Sequence, residues 1–116
     1  KEVLVRIRIE KHRSYRMDLD PVGTVTEGGC DILIREFWNR KRPPGMRHYS
    51  DYPFCDIFVS DQEVAQRIQA SNVFTWTLPW KGISRFMAYN VGAEYAIEQL
   101  RLALSAPDLQ YETVAA

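Results

Sequence analysis

The sequence predicts an α+β fold: a mainly antiparallel sheet of five or six strands, with a C-terminal helix packed across one face and a short second helix. Three observations predict it. Val3, Val5, Ile7 and Ile9 alternate with Leu4, Arg6, Arg8 and Glu10 at a period of two; runs rich in aromatic and β-branched residues are joined by short polar links; and Ala93, Ala96, Ile97, Leu100, Ala103 and Leu104 recur at helical spacing. A chain of 116 residues, 46% of them hydrophobic, is long enough for one compact core, so residues 1–116 read as a single domain. Residues 108–116 either dock as an extension or fray as a tail.

The first strand covers residues 3–10. Tyr15, Met17 and Leu19 alternate with Arg16, Asp18 and Asp20, which predicts a hairpin partner. Pairing Glu10 with Arg16, Arg8 with Asp18 and Arg6 with Asp20 opposes charges on one face, while Ile9 meets Met17 and Ile7 meets Leu19 on the other. Residues 21–29, with adjacent Gly28 and Gly29, read as a connection with a short extended piece at 22–25.

Strand character resumes over 30–38, where Ile32, Ile34 and Trp38 share one parity and Leu33 and Phe37 take the other, so both faces are apolar. Arg40 to His48 then form the longest loop, because Pro43 and Pro44 lack backbone donors and Gly45 frees the turn. Residues 54–59 make a further strand, again apolar on both sides. Ser60 and Glu63 have capping-box spacing ahead of a short helix with Val64, Ala65 and Ile68 as its stripe, Glu63 and Arg67 as an i,i+4 pair, and Ser71-Asn72 as its stop. Residues 73–78 and 83–89 form a second hairpin about Pro79-Trp80-Lys81-Gly82. The principal helix follows, with Asn90 as its cap and Pro107 as its terminator.

Fifteen Lys+Arg against fifteen Asp+Glu give zero net charge, which argues against a generally basic nucleic-acid binder. The absence of a run of about 18 apolar residues argues against a membrane span. The alternating start does not resemble a signal peptide, and with only Cys30 and Cys55 the chain reads as cytoplasmic. If strands 30–38 and 54–59 pair antiparallel, Cys55 falls near Trp38 and far from Cys30, so both thiols are expected free. His12, His48, Cys30 and Cys55 are too scattered for a closed metal site, and no GxGxxG, GKS/T or HExxH occurs, so neither metal nor cofactor is expected.

His48 beside Tyr49, Ser50 and Asp51 is not a triad, since such groups converge from separate segments. No catalytic residue is assigned, and an enzyme is the less favoured reading. The informative surplus is aromatic: Phe37, Trp38, Phe54, Phe58, Phe74, Trp76, Trp80 and Phe86 lie on or beside strands that two modest helices do not cover on both sides.

The expectation is therefore a noncatalytic protein-interaction module, of the kind of a small inhibitor or immunity protein that blocks a partner's surface. Trp38, Tyr49, Tyr52 and Trp80 are the proposed anchors, and Arg40, Arg42 and Arg47 the complement to an acidic partner. That partner is another protein or a second copy of this chain. The alternative is an RNA-binding or metal-independent RNA-cleaving domain in which Arg40, Arg42 and Arg47 hold phosphate, His48 moves a proton and the neighbouring aromatics stack on bases.

Overall fold

A computed structural model describes residues 5–13, 25, 29–41, 44–47 and 50–115. Alternation builds six strands and helical spacing two helices, in the order β1 (Ile7–Lys11), β2 (Ile32–Lys41), β3 (Ser50–Val59), α1 (Gln62–Ser71), β4 (Thr75–Trp80), β5 (Ile83–Tyr89), α2 (Ala93–Ala103) and β6 (Tyr111–Ala115). The strands lie side by side in one sheet in the order β4-β5-β3-β2-β1-β6.

The sheet is mixed, which corrects the expectation of a mainly antiparallel one. β2–β3, β3–β5 and β4–β5 are antiparallel, but β1 runs parallel to both β2 and β6. Residues 15–19 of the expected first hairpin lie outside the described residues; both edges of Ile7–Lys11 are taken by β2 and β6. Charges of β1 meet those two neighbours: Glu10 accepts from Arg35 Nε at 3.1 Å, and Arg8 Nη2 lies 3.7 Å from Glu112. Parallel pairing needs a long crossover, and residues 12–31 and everything between β1 and β6 supply two. The C-terminal segment is thus a strand, in register from Ile7↔Tyr111 to Lys11↔Ala115.

Strand parity divides the apolar residues between two cores. Ile7, Ile9, Ile32, Ile34, Ile57, Val59 and Phe86 share the larger one with Val64, Ala65 and Ile68 of α1 and Ala96, Ile97 and Leu100 of α2. On the other parity Leu33, Phe58 and Ile83 pack with Val25, Cys30 and the half-buried Trp80. A charged row crosses that second face: Arg35 bonds Glu10, and Arg85 clasps Asp56 through Nε–Oδ1 at 2.6 Å and Nη2–Oδ2 at 2.8 Å. The phenylalanine surplus is largely taken up by the cores, since Phe37, Phe54, Phe58 and Phe86 are buried and Phe74 is partly buried against the larger core.

The helix ends differ from expectation. Asp61, not Ser60, caps α1 by accepting from the Val64 amide at 3.0 Å, and Ser60 Oγ donates to the Asp31 carbonyl. α1 stops as expected at Asn72, which takes the left-handed conformation at φ 58°. Arg67 does not complete the Glu63 pair; its Nη2 donates to the Leu104 carbonyl, tying α1 to the end of α2. Asn90 adopts φ 61° and is not the cap of α2, whose N-cap position is Gly92.

Candidate interaction surface

β2 and β3 are the longest strands, and the sheet does not keep pace with them. β1 pairs with β2 only as far as Glu36, and β5 pairs with β3 only from Phe54. The next four pairs, Trp38↔Pro53, Asn39↔Tyr52, Arg40↔Asp51 and Lys41↔Ser50, therefore form a two-stranded ribbon with no flanking strand among the described residues. At about 3.4 Å per residue it projects roughly 13 Å before its loop begins. The pairing continues to Lys41↔Ser50 although only Trp38 and Tyr52 are strongly β-prone, and in the loop beyond it Gly45 turns at φ 79°.

Trp38 stands on this ribbon 40% exposed. Its indole Nε1 donates to Glu36 Oε1 at 3.0 Å, and Glu36 Oε2 accepts from the Ala93 amide at 2.8 Å. Glu36 is only 4% exposed. Because Gly92 offers no side chain to cap α2, a carboxylate from a distant strand satisfies the helix start. Gly92 is also what admits it, since a Cβ there would come within 3.0 Å of Glu36 Oε2. One buried carboxylate thus holds both the base of the exposed indole and the first turn of α2. Beside it Lys11 Nζ bonds Glu94 Oε1 at 2.5 Å, which raises the Lys11 pKa and lowers that of Glu94; with both side chains well exposed the pair adds at most tenths of a kcal/mol.

Of the residues marked in the sequence, Trp38, Arg40, Arg47 and Tyr52 fall on this ribbon and loop, with Arg40 paired to Asp51 at 3.5 Å and Arg47 exposed. Arg42, His48 and Tyr49 lie outside the described residues. Trp80 does not join them. It sits beside Ile83 at the opposite end of the sheet, packed edge-on to Phe58 with ring centroids 6.0 Å apart. Glu36 was missed in the sequence, although its signal was there: it shares the parity of Ile32 and Ile34, so a carboxylate was bound to face the core and need donors.

Charge is distributed unevenly. Residues 37–53 hold Arg40, Lys41, Arg42 and Arg47 against the single acid Asp51, so the other 99 residues, with eleven basic and fourteen acidic groups, carry the opposite excess. Among the described residues no three His, Cys, Asp or Glu converge as metal ligands, and no helix is long and apolar enough to cross a membrane.

The cysteines lie in different cores, both buried and neither in a disulfide. Cys55 sits opposite Glu36, its Sγ donating to the Val91 carbonyl at 3.5 Å; burial first, then the Glu36 and Glu94 carboxylates, push its thiol up to about 12. Burial likewise raises Cys30. Since the unfolded chain releases the Cys55 proton near the ordinary 9.0, this contribution to stability is complete below pH 9.0 and is lost as pH rises toward 12. Iodoacetamide is expected to label Cys55 at neutral pH only at the rate of global unfolding; rapid labelling of the folded chain contradicts this.

No protein-family model, curated protein or solved structure matches this chain. What defines its class is therefore the molecule itself: an α+β chain with a six-stranded mixed sheet and a basic, tryptophan-bearing ribbon extending from it.

Proposed function

We propose that this chain is a noncatalytic protein-interaction module of the inhibitor or immunity type, acting in the cytoplasm, whose β2–β3 ribbon lies on an acidic surface of a partner protein and blocks it. The observation that carries the reading is the exposed Trp38, braced at its base by a buried carboxylate. An indole held in place before contact loses little conformational freedom on binding, and Trp and Arg are the side chains that most often dominate interfaces. The RNA reading is less well supported, because Arg40 is paired with Asp51 and the whole chain carries no net positive charge.

The test is affinity capture with the native chain, Trp38→Ala and Trp80→Ala, with captured proteins identified by mass. Trp38→Ala is expected to change stability by only about 1 kcal/mol, since the side chain is half-exposed, yet to lose the partner. Trp80→Ala, remote from the ribbon, is expected to retain it. A partner held equally by Trp38→Ala overturns the reading, as does recovery of nucleic acid with retention that falls steeply and linearly in log salt.

A further inference from the structure

The two outer strands of the sheet are built differently. β4 contains Pro79, which has no amide to offer, and its register breaks between Thr77 and Trp80; both features discourage an added strand. β6, Tyr-Glu-Thr-Val-Ala, has neither device. Its register with β1 is unbroken over five pairs, and among the described residues no strand lies on its far side. Tyr111, Glu112 and Thr113 are exposed, Tyr111 by 41%. An open groove of about 390 Å³ lies where β1 and β6 begin, bordered by Arg8, Cys30, Tyr111 and Glu112.

We propose that β6 pairs antiparallel with β6 of a second copy, joining two six-stranded sheets into one of twelve strands. Self-complementarity argues for a second copy rather than a foreign strand. With a twofold axis at Thr113, the only charge of the strand, Glu112, falls opposite Val114 of the second copy, and Tyr111 falls opposite its small Ala115. Zero net charge leaves no long-range repulsion between copies. The ribbon is less suited to pair with itself, since it carries Arg40 and Lys41 against the single acid Asp51. Five residue pairs bury less than the roughly 800 Å² per partner of a standard interface, so the dimer dissociates in the micromolar range or weaker. This inference is independent of the ribbon's role.

Sedimentation equilibrium tests it, from low micromolar to near-millimolar concentration. The native chain is expected to move from 13.5 kDa toward twice that mass, with its β6 amides gaining protection from hydrogen exchange at high concentration. Thr113→Lys and Thr113→Glu, which set like charges face to face at the axis on an exposed position, are each expected to stay monomeric with unchanged circular dichroism, and a mixture of the two to associate one to one. A native chain of 13.5 kDa at every concentration overturns the proposal, and so does protection of β6 that appears only when another protein is added. So, too, do self-association undiminished in both variants, a mixture that stays monomeric, or a dimer that Trp38→Ala dissolves.

Discussion

Glu36→Ala is expected to lower the free energy of unfolding by about 3 kcal/mol, although the residue is neither large nor apolar. Its two oxygens serve two donors, the Ala93 amide at 2.8 Å and the Trp38 indole at 3.0 Å. Truncation leaves the first amide of α2 buried without an acceptor, removes a negative charge from the positive end of the helix dipole, and opens a gap beneath Trp38. Glu36→Gln keeps one acceptor oxygen and is expected to recover part of the loss. Urea denaturation measures the free energies, and hydrogen exchange at Ala93 locates the damage. If Glu36→Ala denatures at the native urea midpoint, the carboxylate is not what holds the helix start. Because the same side chain braces Trp38, the variant is also expected to broaden the indole environment seen in fluorescence.

Asp56→Ala is expected to be nearly as damaging, at about 3 kcal/mol. Asp56 is buried and takes two hydrogen bonds from Arg85, whose guanidinium also lies 5.6 Å from the Phe58 ring centre. Removing the acid leaves a mostly covered cation; removing both charges does not. Asp56→Ala combined with Arg85→Met is therefore expected to be less destabilised than Asp56→Ala alone, because the desolvation penalty disappears with the charge. A double variant whose loss equals the sum of the two single losses means that the two side chains do not act as a pair.

How far each element was legible follows from the range of the interaction that forms it. The stripe of Val64, Ala65 and Ile68 and that of Ala96, Ile97 and Leu100 are set by the turn of a helix on itself, so spacing alone exposes them. The β4–β5 hairpin was legible because Lys81 and Gly82 lie between strands that meet locally, both at positive φ. The pairing of β2 with β3 was legible for a related reason, since one loop joins two runs of matching parity. β1 was misread because alternation reports which side chains share a face and is silent on the direction of the neighbouring strand. Among the described residues, Glu10 meets Arg35 and Arg8 meets Glu112, on the parallel neighbours that alternation could not reveal. Whether residues 108–116 dock or fray was not legible, because five residues with one charge form a strand only when a ready edge receives them.

The interaction surface divides in the same way. Trp38, Arg40, Arg47 and Tyr52 could be chosen by residue type, and Trp80 was chosen with them for the same reason; only the fold sends Trp80 to the other end of the sheet, against Phe58. By itself the sequence determined the periodicities, and through them two helices, the two-sided apolar character of β2 and β3, and an excess of basic charge in the loop between them. The tertiary structure alone decided the mixed order of the sheet, the length by which the ribbon outruns its neighbours, and the meeting of Glu36 with an amide 57 residues away. Local geometry is carried by each residue and its near neighbours, while a contact across the chain exists only once many weak burials have together chosen one arrangement of the strands.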